Sequence, residues 1–335
     1  MRVSTNLQFY SGTQNLLNNQ GALNKLQNQL STGRKVMTPS DDPVAATRAL
    51  LVDQSRSLNK QFMNSQDAAL TQLGMTDSLM GNVTDSLQSV LGRAVQGGNA
   101  ANSDAERGMI ATDLRQQLYA LVDQANTKSA SGDYIFGGYR SNGAPFSVSN
   151  ASSHDGYVSY QGDGGSQRLQ VESSMTVGIT ENGSETFMRV LNKDGSPATQ
   201  PDIDPLTGLQ VIDGSGNPQT KPVSVFDAVK RMIDYLETPT ATASKNEYDG
   251  ALDNLNSALD HISRARASVG ARETQLTALK AASDDLDTQY QSTLSGLQDL
   301  DYTSAISKFT QQNTQLQAAQ QTFMKVTQTN LFSML

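Results

Sequence analysis

The stretch Leu30-Ser31-Thr32-Gly33-Arg34-Lys35-Val36-Met37-Thr38-Pro39-Ser40-Asp41-Asp42-Pro43 reads as a helix stop followed by a helix start. Gly33 offers the left-handed position at which helices commonly end. Pro39 and Pro43 push the residues before them out of the α region, so 38–42 should be extended. Asp42 is a natural N-cap with Pro43 at the first helical position, where its missing N–H costs nothing. One helix should therefore end near residue 32 and a longer one begin at 43. Thr38, Pro39, Ser40, Asp41, Asp42 and Pro43 are the expected hinge and cap between them.

Upstream of this joint, Leu16, Leu23 and Leu30 lie seven apart with Leu26 between them, a short heptad stripe. Downstream, Leu51, Leu58, Leu73, Met80 and Leu87, with Val83 and Val90 alongside, form the apolar face of the second helix, which Gly97-Gly98-Asn99 should break. Ile110, Leu114, Leu118 and Leu121 mark a third. At the other end of the chain, Leu255, Ile262, Val269 and Leu276 fall at strict sevens, with Leu252, Leu259, Leu279 and Leu286 beside them. After a weak joint around 296–304 the stripe resumes as Tyr302, Phe309, Leu316 and Phe323. No proline lies within 44–144 or 240–335, as two helical arms require, since an interior proline costs about 3 kcal/mol.

The middle is different in kind. Fifteen of the 26 glycines fall between 132 and 250. Tyr134-Ile135-Phe136 is a β-type triplet, and Tyr157–Tyr160, a glycine-rich turn, then Leu169 and Val171 suggest a hairpin. Met175, Val177 and Ile179 alternate again. Asp194-Gly195, Asp213-Gly214 and a proline cluster mark loops. A single amphipathic helix near 225–237, capped by Ser224, carries Phe226, Val229, Ile233 and Leu236 on one face.

The fold expected is mainly α with a β-rich insert: long antiparallel coiled helices pair the N- and C-terminal arms, and a small outer β domain projects from them. The expected divisions are an inner terminal-helix part at 1–40 and 303–335, a coiled helical part at 41–140 and 240–302, and the outer part at 141–239. Matching stripes on distant arms should bring both termini to one end. The outermost helices bury few large side chains against the entropy of ordering them. Gly12, Gly21 and many Asn, Ser and Thr lower their helix propensity further. They should become ordered when neighbouring copies cover them, as should the apolar end Leu331-Phe332-Ser333-Met334-Leu335.

Composition excludes several classes. The net charge of −8 over 335 residues argues against a nucleic-acid binder, whose footprint is a basic domain or stripe. Residues 1–60 hold seven basic and three acidic side chains, whereas 130–250 hold eight basic and fifteen acidic. Cysteine is absent, which removes disulfides, thiolate metal sites and thiol nucleophiles. No stretch approaches a membrane span, so membrane insertion is not expected. Met1-Arg2-Val3-Ser4-Thr5-Asn6-Leu7 has no apolar core of the kind a secretory signal needs.

No constellation announces chemistry. His154 and His261 have no metal-spaced partner. Asp202-Ile203-Asp204-Pro205-Leu206-Thr207-Gly208 fails the calcium-loop pattern, because Leu206 replaces a ligand and the glycine comes late. Gly162-x-Gly164 lacks the third glycine of a dinucleotide fingerprint. Asp41-Asp42 reads as helix capping before it reads as an acid–base pair. Asp284-Asp285 reads as a solvated helix face. No serine sits in a G-x-S-x-G elbow. The expected chain is no enzyme, with no cofactor or metal.

Three segments carry a family resemblance. Leu30 through Pro43-Val44-Ala45-Ala46 resembles the N-terminal signature of the flagellar hook-associated protein 3 family, relatives of flagellin. Gly132-Asp133-Tyr134-Ile135-Phe136-Gly137-Gly138 resembles that family's passage from helical to outer domain. Asp299 through Tyr302, Ala305 and Ile306 to Gln320-Gln321-Thr322-Phe323 and Leu331-Phe332 resembles its C-terminal helix. Residues 141–239 carry no such likeness. Flagellin usually has a lysine and an Ala-Gly pair around its Asp-Asp, so Pro39 and Pro43 favour the junction family.

The resemblance implies a structural subunit of the bacterial flagellum, a junction adaptor between hook and filament. It implies a homo-oligomeric ring touching another hook-associated protein on one side and flagellin on the other. It implies export through the flagellar type III channel without a cleaved signal peptide, with a cytosolic chaperone for the C-terminal helix, to an extracellular site. The assembly contacts expected on the terminal helices are Leu16, Leu23, Leu26, Leu30, Phe309, Leu316, Phe323, Leu331, Phe332 and Leu335. A minor flagellin is the alternative, and an exported enzyme with a site in 141–239 the rival from another class.

Overall fold

The computed structural model describes residues 2–148, 158–202, 210–213 and 217–332. Its order is α1 (Arg2–Thr32), α2 (Pro43–Gly97), α3 (Asp104–Ala125), β1 (Phe146–Val148), β2 (Val158–Tyr160), β3 (Arg168–Glu172), β4 (Met175–Gly178), a π-helical turn (Ser184–Met188), β5 (Thr199–Pro201), β6 (Thr220–Pro222), α4 (Val225–Glu237), α5 (Lys245–Gln298) and α6 (Tyr302–Phe332). The fold is the expected one, helical arms with small antiparallel sheets in a middle insert. The chain divides into two compact units, Met1–Gln61 with Ser283–Leu335, and Phe62–Ala282. Both α2 and α5 contribute to each.

The unit at 62–282 holds one continuous core. From α2 come Leu73, Met80, Val83, Leu87 and Val90, from α3 Leu114, Leu118 and Leu121, and from α5 Leu255, Ile262, Val269 and Leu276. The sevens in α5 are thus a buried face. The same core runs into the insert through Phe136, Phe146, Phe187 and Phe226. Phe187 is its hub: it meets Phe136 edge-on at 5.0 Å and Phe146 at 5.3 Å, and stacks on Phe226 at 5.8 Å, geometries that aromatic quadrupoles favour. α4 begins at a capping box in which Ser224 and Asp227 exchange hydrogen bonds. α3 begins at another, built by Ser103 and Glu106.

The insert's pairing differs from the sequence expectation. β2 does not pair with the strand containing Leu169 and Val171; it lies antiparallel to β1, with Val148 opposite Val158. β3 closes on β4 through the tight turn after Glu172, with Leu169 opposite Val177. The two-residue connection closes β3 on β4 at low entropic cost; loop length does not account for β2, whose connection to β1 is longer than its glycine-rich connection to β3. Tyr134-Ile135-Phe136 is no strand. Tyr134 makes a single bridge to Lys128, and Ile135 and Phe136 turn inward to the core. The proline-marked loops hold β5 and β6, paired as Thr199–Pro222 to Pro201–Thr220, their prolines at the strand ends where a lost donor is tolerated.

The insert is seated on the long helices largely through main-chain acceptors. Arg272 Nη1 donates to the Gly178 carbonyl at 2.9 Å, and its other nitrogen pairs with Glu181. Arg264 donates to the carbonyls of Leu191 and, at 2.9 Å, Asn192. Gln66 Nε2 on α2 donates to Val171 O at 2.9 Å. His261 Nε2 lies 3.0 Å from the Glu185 carbonyl. His261 is buried at this seat.

Candidate assembly surface

In the unit formed by 1–61 and 283–335, α1 and α6 pack against each other. The less exposed positions of α1 include Gly12, Leu16, Asn19, Leu23, Leu26 and Leu30; those of α6 include Ala305, Phe309, Gln312, Leu316, Ala319 and Phe323. Both series alternate steps of three and four, the a/d rhythm of a coiled-coil seam. At one end the Phe9 and Phe323 rings lie 5.2 Å apart. Gly12 permits this approach, since a Cβ there would fall 2.9 Å from the Phe323 ring.

Seven residues expected as assembly contacts thus line one seam within the chain. Leu16, Leu23, Leu26, Leu30, Phe309 and Phe323 are half-buried, and Leu316 is 9% exposed. The backbone of Leu331 and Phe332 forms the last turn of α6, their side chains lying outside the description; Leu335 lies outside the described residues.

The outward faces carry apolar residues that the heptad reading passed over. Leu7 is 70% exposed and Leu17 60%; Tyr10, Ile306 and Met324 are exposed as well. On α2 the exposed apolar residues are Val44, Leu50, Leu51 and Leu58 near its start and Val95 near its end. Leu51 and Leu58, read from sequence as part of the same face as Leu73 and Met80, are not core. Val44, Leu51 and Leu58 are themselves spaced by sevens, and that spacing was the available signal. What sequence does not carry is where the covering helices stop.

The joint at 33–43 is built from short-range polar contacts. Gly33 has φ 70°. Thr38, Pro39 and Ser40 are exposed, and the Thr38 and Ser40 hydroxyls lie 2.8 Å apart. Asp41 Oδ2 accepts from the backbone N–H groups of Met37 at 3.1 Å and Thr38 at 3.0 Å, and its other oxygen pairs with the Lys25 ammonium at 2.6 Å. Those donors, Lys25 foremost, hold the Asp41 carboxyl well below the usual carboxylate range. Asp42 Oδ1 accepts from Ala45 N at 2.9 Å and caps α2, whose first residue is Pro43.

Among the described residues no three His, Cys, Asp or Glu side chains are grouped to hold a metal ion, and no helix is long and apolar enough to cross a membrane. His154 and most of the 202–208 loop lie outside the described residues. What the molecule presents is a pair of terminal helices whose outward faces are largely polar, with scattered exposed apolar side chains.

Known proteins resemble this chain along its whole length. Residues 3–141 match the bacterial flagellin N-terminal helical region, and residues 252–335 the bacterial flagellin C-terminal helical region. The chain belongs to the flagellin family. It is 28% identical to flagellar hook-associated protein 3 of Salmonella typhimurium, over 100% of this chain and 99% of that one. Polar flagellin F of Vibrio parahaemolyticus is 24% identical over 73% of this chain and 62% of its own. The crystal structure of the flagellar junction protein FlgL from Legionella pneumophila shares the fold, with a TM-score of 0.60 at 24% identity, covering 75% of this chain and 100% of that one.

Proposed function

We propose that this chain is the hook–filament junction subunit of the bacterial flagellum. The observation that carries the reading is the end-to-end likeness to hook-associated protein 3, insert included, where the likeness to a flagellin spans a smaller share of both chains. The mechanism is mechanical. Copies form a ring through the unit that holds both terminal helices. One side of the ring meets another hook-associated protein and the other meets flagellin, at an extracellular site reached by type III export with a cytosolic chaperone on the C-terminal helix.

The uncovered apolar residues on α1, α2 and α6 support self-association, because exposed apolar surface is stabilised by whatever excludes water from it. Leu16, Leu23, Leu26, Leu30, Phe309, Leu316 and Phe323 act by holding α1 to α6 in the geometry that neighbours recognise. Leu331, Phe332 and Leu335 extend that contact, and 38–43 sets the direction of the inner pair. In the assembled state the divisions are 1–40 with 303–335 inside, 41–140 with 240–302 around them, and 141–239 outward. The role is structural rather than catalytic.

Deleting the gene, imaging the cells by electron microscopy and blotting the medium for flagellin tests this. Intact bare hooks with flagellin lost to the medium are expected. Missing filaments with no flagellin in the medium would assign the chain as a filament subunit instead. Normal flagella would end the structural reading.

A further inference from the structure

Two asparagines of the insert are each followed by glycine, and the fold treats them differently. Asn142-Gly143 lies in the turn that leads into β1. Asn142, Gly143 and Ala144 are exposed, and each side of the turn is anchored. Ser141 O accepts from Tyr134 N at 3.0 Å, and the Ser141 hydroxyl donates to Asp133 at 2.9 Å. Pro145 is buried, and its carbonyl accepts from Gln161 N at 2.7 Å. Between those anchors, among the described residues, no hydrogen bond engages the Asn142 side chain or the Gly143 N–H. Asn182-Gly183 is held. Asn182 Oδ1 accepts from Ser184 N and the Asn182 carbonyl from Thr186 N, each at 2.9 Å. Gly183 is buried in helical geometry at the start of the π-helical turn, with φ −60° and ψ −32°. A Cβ there would fall 2.4 Å from the Phe136 carbonyl oxygen, so this backbone has no room to turn.

We propose that Asn142 is a site of spontaneous covalent modification, converting to aspartate and isoaspartate in the folded chain while Asn182 is spared. Gly143 N, losing its proton to hydroxide, attacks the side-chain carbonyl carbon of Asn142. A C–N bond forms, the bond to the side-chain nitrogen breaks, and ammonia leaves with a proton from water, which restores the hydroxide. Water then opens the cyclic imide at either carbonyl, so one water enters and one ammonia departs overall. Glycine suits the attack because no Cβ shields its nitrogen and its backbone turns freely. Closing the ring requires the main chain to rotate, which the exposed turn allows and the packed one forbids. Each conversion adds a negative charge to residues 130–250, which already hold eight basic and fifteen acidic side chains. The isoaspartate form also lengthens the main chain by one atom, and the anchors at Ser141 and Pro145 confine that change to exposed residues.

The full purified chain, kept folded at pH 8 and at pH 6, is digested at acid pH and read by mass spectrometry, with isoaspartate assigned from its own fragment ions. The Asn142 peptide should gain the mass that replacing NH2 by OH brings, faster at pH 8 because the nucleophile must shed a proton. Both isomers should appear. Asn182 should convert only after urea unfolds the chain. Gly143→Ala should slow the reaction at Asn142 roughly tenfold, about 1.4 kcal/mol at the barrier. Nothing lies within 4 Å of where that Cβ would sit, and Gly143 is not left-handed. The variant should therefore melt as the natural chain does, and the slowing then reports the chemistry. Equal rates at Asn142 and Asn182 in the folded chain would overturn the proposal. So would conversion of Asn142 without isoaspartate, or at a rate that Gly143→Ala leaves unchanged.

Discussion

The guanidinium carbon of Arg107 lies 4.9 Å over the ring of Tyr235, and one of its nitrogens donates to the Tyr235 carbonyl at 2.8 Å. A third contact, to the Thr240 hydroxyl at 3.0 Å, lets this one buried side chain fasten α3 to the end of α4 and the turn after it. Arg107→Ala leaves the Tyr235 carbonyl only its longer bond from the Thr238 N–H, at 3.2 Å, and loses the charge-assisted one, at a cost of about 1.5–3 kcal/mol. Arg107→Lys should recover little, because an ammonium cannot reproduce the planar fork. Urea denaturation followed by circular dichroism measures both; a loss below about 0.5 kcal/mol for the alanine variant would contradict this account.

Leu316 and Leu51 separate assembly from monomer stability. Leu316→Asp places a charge in the α1–α6 seam, a pair expected to order only when neighbouring copies cover it, so assembly should be lost while the monomer's melting temperature stays nearly unchanged. Leu51 is 58% exposed, and Leu51→Asp should leave monomer stability within about 0.5 kcal/mol while weakening self-association. Melting curves beside analytical ultracentrifugation separate the two. A destabilised Leu51→Asp monomer would place that residue in the fold rather than at a contact between copies.

His261 gives the seat of the insert a pH dependence. Burial is the main cause that lowers its pKa from the ordinary 6.5, the Arg264 charge adding to it while the Glu185 carbonyl opposes. With the folded pKa below the unfolded one, the neutral ring is the native form. Its contribution is fully present above about pH 6.5 and is lost as pH falls from there through the folded pKa. Unfolding free energy measured at pH 7.5 and 5.5 should fall more for the natural chain than for His261→Gln. Equal falls would assign the acid sensitivity to other groups.

Gly33 takes a left-handed conformation with the Tyr302 hydroxyl 2.9 Å from where a Cβ would sit. Gly33→Ala should cost about 1–2 kcal/mol from the backbone alone, plus the clash. Tyr302→Phe removes the oxygen, so the alanine should cost less in that background yet never nothing. Additive effects in the double variant would show that the two residues do not touch.

How much of this was legible depended on whether the deciding contacts were local. The stop at Gly33, the cap at Asp42, the break at Gly97 and the helix from Ser224 rest on contacts within a few residues, and the sequence expresses them. The strand partners of the insert do not, because β2 pairs with β1 at Phe146–Val148, three residues too short to show alternation, and not with the strand that follows it. Arg107 was invisible for another reason. Its partners Tyr235 and Thr240 lie far along the chain, and nothing at position 107 announces a buried cation. The α2 stripe was read correctly as apolar and wrongly as covered, since a period of seven does not say which chain fills the groove.

The seat of the insert has a consequence for how this molecule can vary. Arg264, Arg272, His261 and Gln66 reach chiefly for carbonyl oxygens, which every amino acid supplies whatever its side chain. The insert is gripped by its backbone, so its exposed residues are free to be rewritten, by selection or by design, without the grip being rebuilt.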